Sequence, residues 1–143
     1  MDTQNEAGDR LDLEREAPQG LSARGIVAVL AGWLFPGAGH FVAGRWKRGL
    51  LLGLLLVATF ALGLYLHGHL ATFDRSNLLS VVFVFSDVGS GLLYFVSLLS
   101  GIGLDLQAET PTFEYGTSLL HLVGLLNYLV ALDAYDIAAG RKP

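Results

Sequence analysis

The feature that most limits how this chain can fold is an apolar run from residue 50 to residue 66 that contains no charged side chain. Further apolar runs at about 26–43, 78–104 and 116–132 alternate with short polar segments. About 20 helical residues cross the ~30 Å hydrocarbon core of a bilayer, so each run has membrane length. A soluble domain of 143 residues has no core that could bury four such helices on all sides. The sequence therefore predicts an all-α, multi-pass membrane protein with about four transmembrane helices.

The distribution of charge supports the same class. Only 15% of the residues are charged, against about 25% in soluble domains. We expect residues 1–23 to form a disordered polar tail and residues 24–143 to form the helical membrane domain. Cysteine is absent, which excludes disulfides and thiolate chemistry. The net charge of −4 argues against nucleic acid as a partner.

The first run contains Pro36 followed by Gly37. Proline removes a backbone N–H and clashes with the preceding helical turn. A membrane helix tolerates this only where neighbouring groups or water satisfy the freed carbonyls. We therefore predict that the first span is kinked or broken at this point.

Small residues recur at positions that would let helices approach closely. The candidates for helix packing are Gly37, Gly39, Gly49 and Gly53. The last two form a GxxxG motif at the start of the second run.

The third run, 78–104, is long and contains Asp87. A run of about 27 residues can cross a membrane by tilting. Alternatively, the glycines after Asp87 break it, leaving an interfacial helix at 76–86 and a span at 88–104. The sequence leaves both alternatives open.

A basic turn joins the first two runs and contains Arg45, Trp46, Lys47 and Arg48. Tryptophan favours the headgroup level of a membrane, and arginine and lysine bind lipid phosphates. The favoured interpretation is an interfacial anchor that sets the topology. The alternative is a docking site for anionic lipid or for a partner protein.

Polar residues inside the runs are functional candidates, because an aspartate at membrane depth costs about 2.5–3.5 kcal/mol. The candidate intramembrane polar network is His40, Asp87, His121 and Asn127. A pair between Asp87 and either His121 or His40 would be a proton relay or a hydrogen bond that holds helices together. The small number of ionisable groups favours the hydrogen bond.

Signatures of enzymes are missing from the sequence. It contains no Gly-x-Ser-x-Gly, no His-Glu-x-x-His and no phosphate-binding loop. His67 and His69 have no third ligand at a suitable spacing and are interpreted as an interfacial pair. We therefore expect no enzyme activity, no cofactor and no metal site.

The segment Pro36-Gly37-Ala38-Gly39-His40-Phe41, followed by Gly44-Arg45 and the apolar run after Gly49, resembles the Gly-rich hairpin of the two-transmembrane-helix domain family. It is also similar to small bacterial membrane proteins of unknown function that carry a Pro-Gly-x-Gly-His-Phe-like segment. Residues 126–136 are similar to the end of that family's second helix. The chain departs from the family because Phe41 directly follows His40, where the family has His-Arg-Phe, and because residues 71–115 are inserted. The resemblance implies a membrane location and a Gly-rich hairpin, and it brings no catalytic residues. We expect the membrane to be a bacterial inner membrane.

Orientation and function follow less directly from the sequence. Four spans would place both ends of the chain on one side, and the Lys and Arg count of six to three favours the cytoplasm for them. The basic turn alone argues for the opposite orientation. We expect an accessory, scaffold or self-assembling subunit whose partners are the lipid bilayer and copies of itself or other membrane proteins. The alternative is a small oligomeric transporter or channel that uses Asp87 and His121.

Overall fold

The structure is a computed structural model that describes residues 22–105 and 108–142. Within these ranges the chain forms helices and no strand, which confirms the all-α prediction for them. The helices are α1 (Ala23–Leu34), α2 (Ala38–Val42), α3 (Trp46–Tyr65), α4 (Leu79–Val88), α5 (Leu92–Ser100) and α6 (Phe113–Ala138). The predicted tail lies outside the described residues except for its last two positions, and α1 already begins at Ala23.

Two helices, α3 and α6, are long and apolar enough to cross a membrane. Helices α4 and α5 together reach that length, but they are bent by 109° at the break between them, and α1 has only 12 residues. The described chain therefore offers two spans, or three if the bent pair is counted as one. The prediction of about four spans is wrong in number, because two of the apolar runs are broken near their middle.

Helix α6 is the central element of the fold and packs against α1, α2, α3 and α4. Its Leu120 and Val123 are fully buried. They form one hydrophobic cluster with Leu56 and Phe60 of α3 and with Leu70, which follows α3. Apolar faces of α6 and α3 thus build the core, to which α5 contributes Tyr94. Helices α1, α2 and α4 attach to α6.

The first run breaks where Pro36 predicts. Helix α1 ends at Leu34, and α2 begins only at Ala38. The second helix then returns along the first, since the Arg24 guanidinium donates hydrogen bonds of 3.2 and 3.0 Å to the Val42 carbonyl. Helices α1 and α2 therefore form a hairpin whose start and end lie together.

The four predicted packing glycines all lie at helix contacts within the chain. A Cβ on Gly37 would overlap the Gly49 carbonyl oxygen, and one on Gly53 would lie 2.5 Å from the Pro36 carbonyl oxygen. A Cβ on Gly39 would overlap the Ala28 carbonyl oxygen. These glycines bring the hairpin of α1 and α2 against α3 and fold α2 onto α1. The small-residue stripes are thus used inside one chain.

The third run is also a hairpin rather than a continuous span. Helix α4 runs along the middle of α6, where Phe83 stacks on His121 and Phe85 stacks on Tyr128, each with ring centroids 5.0 Å apart. The chain then turns at Gly91, and α5 returns, so that the Tyr94 hydroxyl donates a 3.0 Å hydrogen bond to the Ala71 carbonyl. The break lies between Val88 and Leu92, at the glycines after Asp87, as the alternative of a broken third run predicted. Helix α4 packs along α6.

The two hairpins start from opposite ends of α6. Residues 23–25, 42–48 and 133–142 form one end, here called the basic end, where Arg48 lies 3.8 Å from Asp133. Residues 66–78, 101–105 and 108–113 form the other end, called the loop end, where the Thr112 hydroxyl donates a 3.0 Å hydrogen bond to the Leu66 carbonyl. The tips of the hairpins meet between these ends, where Gly91 lies against the Trp33 carbonyl.

Candidate functional site

Asn127 lies at the meeting point of the two hairpins and is fully buried. Its Nδ2 donates hydrogen bonds to the Trp33 carbonyl at 3.0 Å and to the Gly89 carbonyl at 2.9 Å. Both carbonyls belong to C-terminal helix ends, which leave their last acceptors without helical partners. Asn127 therefore satisfies acceptors that both breaks expose, as a membrane interior requires.

Replacing Asn127 by leucine keeps the number and branching of the side-chain non-hydrogen atoms and removes both hydrogen bonds. Interhelical hydrogen bonds in membranes average about 0.6 kcal/mol, and an unpaired buried acceptor adds a cost, so we expect the free energy of unfolding to fall by about 1–3 kcal/mol. Reversible unfolding in mixed micelles measures it. The control is Thr59→Val, because the Thr59 hydroxyl bonds only to Leu55 of its own helix. Equal losses in the two variants would contradict the role given to Asn127.

Asp87 and His121 form the hydrogen-bonded pair that the sequence allowed. Asp87 is fully buried in the last turn of α4. Its Oδ1 lies 2.6 Å from His121 Nδ1, and its Oδ2 accepts a 2.7 Å hydrogen bond from the Ala71 N–H. The His121 ring also stacks on Phe83, with centroids 5.0 Å apart. Both carboxylate oxygens are thus engaged, and the pair ties α4, α6 and the chain after α3 together.

His40 does not pair with Asp87, so that alternative is wrong. His40 is fully buried, and its Nε2 lies 3.1 Å from Asp133 Oδ2. The cause is the first break, which returns α2 to the basic end, whereas Asp87 belongs to the hairpin at the loop end. The His40–Asp133 contact joins α2 to α6.

Cationic side chains collect around Asp133 at the basic end. The Lys142 ammonium donates to Asp133 at 3.1 Å and lies 3.4 Å from Asp136. These hydrogen bonds raise the pKa of Lys142, first of all the one to Asp133. Lys142 therefore joins the chain after α6 to the last turns of that helix.

The predicted anchor residues lie together at the start of α3. Trp46 is exposed, and Lys47 Nζ lies 5.7 Å from its ring centroid. Residues 44–48 line a concavity of about 300 Å³. Arg48 faces Asp133, whereas Arg45 and Lys47 form no ion pair with any residue that the structure describes. This arrangement fits an interfacial anchor.

A cavity of about 460 Å³ lies at the loop end, beside the first turns of α6. His69, Glu114, Thr117, Ser118 and His121 line it together with aromatic residues. Sequence reasoning missed this cavity, because only the fold of the chain after α3 brings His69 beside α6. No group of three or more His, Cys, Asp or Glu side chains suited to a metal occurs among residues 22–105 and 108–142.

Long apolar helices, broken hairpins and polar residues buried at helix contacts are features of a small helical membrane protein. More narrowly, the chain belongs to the family of unknown function DUF6677, whose family model matches residues 27–143. No curated protein and no solved structure matches the chain. The resemblance to the two-transmembrane-helix domain family stays a prediction.

Proposed function

We propose that the protein is an accessory or self-assembling membrane subunit without chemistry of its own. The observation that carries this proposal is that the intramembrane polar side chains bond to groups of the same chain. Asn127 holds the hairpin tips, Asp87 and His121 hold α4, and His40 holds α2. Such residues are already used for structure, so they give the transporter alternative no support.

The surface for assembly is the outward face of α3 in this proposal. Within the most apolar 18-residue stretch of α3, only 28% is buried inside the chain. Large side chains such as Leu51 and Leu54 are two-thirds exposed, at 68% and 67%. The four packing glycines do not belong to this surface, because they lie at helix contacts within the chain. The exposed leucines of α3 are available to lipid and to another copy or a partner helix.

We further propose that α3 and α6 span a bacterial inner membrane and that each hairpin enters from one side and returns to it. Among the described residues, Arg75 is the one cation of the loop end. The basic end holds Arg24, Arg45, Lys47, Arg48, Arg141 and Lys142. Because cytoplasmic segments carry an excess of lysine and arginine, this distribution favours a cytoplasmic basic end. The conflict between the basic turn and the chain ends disappears, because both lie at one end.

The assembly is tested by the mass of the tagged protein extracted in a mild detergent at native expression level. We expect a stoichiometric complex with itself or with another membrane protein, and we expect Leu51→Trp to weaken it by changing the outward face of α3. Leu99→Trp is the matched control, since Leu99 is 89% exposed on α5. A monomer without a stoichiometric partner would contradict assembly. Proton flux through the wild type that Asp87→Asn abolishes at unchanged protein level would contradict the lack of chemistry.

A further inference from the structure

The cavity at the loop end presents a line of polar groups along α6. Glu114, Ser118 and His121 follow each other at intervals of four and three residues, so they share one face of the helix. Glu114 lies in the first turn of α6, and His121 lies two turns deeper, about 10 Å along the helix. The cavity thus reaches from the start of α6 towards the interior.

His121 lines the same cavity, and its Nε2 is the ring nitrogen that does not face Asp87. Its Nδ1 is turned to the Asp87 carboxylate, whose other oxygen is occupied by the Ala71 N–H. A neutral imidazole that donates through Nδ1 carries a lone pair on Nε2. The ring lines the cavity, and 19% of the side chain is exposed. Asp87 therefore fixes the orientation of the His121 ring at the wall of the cavity.

The remaining polar side chains of the cavity make it a site for a cation. Glu114 supplies a carboxylate, and the hydroxyls of Thr117 and Ser118 can accept hydrogen bonds. No lysine or arginine lines the cavity. Between Arg48 and Arg141, Arg75 is the only lysine or arginine of the sequence. A ligand that donates hydrogen bonds and carries positive charge fits this lining, whereas an anion finds no counter-charge.

The rest of the lining is apolar and aromatic. Phe83 and Phe113 form part of the wall, and aromatic faces attract cations as well as alkyl chains. The volume of about 460 Å³ lies within the ~300–1,000 Å³ of small-molecule sites. We propose that this cavity binds a primary amine with an apolar chain, whose ammonium pairs with Glu114 and Ser118 while the chain lies on Phe83 and Phe113. The site would give the subunit a ligand that the proposed assembly does not require.

The probe for this proposal is octylamine, added to the purified full-length protein in detergent and followed by native mass spectrometry. We expect one saturable adduct. Glu114→Gln removes a charge-assisted hydrogen bond, so we expect about tenfold weaker binding. Octyltrimethylammonium, which has no N–H, should bind more weakly than octylamine, and octanoate should form no saturable adduct. Glu109→Gln is the matched control, since Glu109 is an exposed carboxylate of the loop end that does not line the cavity.

Equal octylamine affinity of the Glu114→Gln and Glu109→Gln variants would overturn the proposal, and so would the lack of a saturable amine adduct. A second measurement separates the two sources of the amine. If wild-type protein extracted from membranes retains phosphatidylethanolamine and the Glu114→Gln variant does not, the ligand is a lipid headgroup. If octylamine binds but no such lipid is retained, the ligand is a soluble amine. Neither result depends on the oligomeric state.

Discussion

Gly91→Ala is expected to destabilise the protein by at least about 3 kcal/mol, because the substitution combines backbone strain with a steric overlap. Gly91 has a φ of +63° and a ψ of −127°, a backbone conformation outside the left-handed helical region that is open to glycine and disfavoured for residues with a Cβ. That Cβ would also overlap the Trp33 carbonyl oxygen and lie 2.7 Å from the Leu34 carbonyl oxygen. The tips of the two hairpins would have to separate, and the hydrogen bonds of Asn127 would stretch. Reversible unfolding in mixed micelles measures the loss.

Gly101→Ala is the control for this prediction. Gly101 has a φ of +75°, and a Cβ there would meet nothing within 4 Å. This variant carries the dihedral cost alone, about 1–2 kcal/mol. The difference between the two variants therefore combines the overlap with Trp33 and the excess dihedral cost at Gly91, whose ψ of −127° lies outside the left-handed region of Gly101. If Gly91→Ala cost no more than Gly101→Ala, the close approach of Gly91 to Trp33 would be refuted.

Asp87→Ala is expected to cost about 3 kcal/mol, because it empties a fully buried position and leaves two partly buried donors without their acceptor. Those donors are His121 Nδ1–H and the Ala71 N–H. Asp105→Ala, at an exposed carboxylate of the loop end, should change the stability by less than about 0.5 kcal/mol. Unfolding midpoints of the two variants in one micelle system give the comparison.

A double mutant shows whether the effect of Asp87 passes through His121. His121→Phe removes the ring nitrogens and keeps a ring that can stack on Phe83. Residues in direct contact deviate from additivity by about 0.5–3 kcal/mol. We expect Asp87→Ala to cost less in the His121→Phe background than in the wild type. Strict additivity would mean that the pair does not stabilise the fold.

Local sequence signals anticipated part of this arrangement. Proline and glycine chemistry at Pro36 and Gly37 predicted the first break, because a proline cannot continue a helix without losing a hydrogen bond. The GxxxG spacing of Gly49 and Gly53 indicated a close contact, and the contact exists. The cost of an isolated charge at membrane depth pointed to a partner for Asp87. Each of these properties depends on a few neighbouring residues.

The number of spans could not be predicted from the sequence, because the mean hydropathy of an apolar run does not change when the helix breaks inside it. Whether the chain continues or returns after residues 36 and 91 depends on contacts made much later in the sequence. The position of His40 shows the consequence. A continuous first span would have carried it away from the start of α1, whereas the hairpin returns it to Asp133. The cavity beside Glu114 was missed for the same reason.

The measurement that tests the account most directly is the side of the membrane on which single cysteines react. The chain has no cysteine, so Lys47→Cys, Asn77→Cys and Arg141→Cys each introduce one thiol at an exposed position. With α3 and α6 as the two spans, we expect a membrane-impermeant thiol reagent to label positions 47 and 141 from the same side and position 77 from the other. Four continuous spans would instead place positions 77 and 141 together and position 47 opposite. That second pattern would contradict the two re-entrant hairpins on which the proposed membrane topology rests.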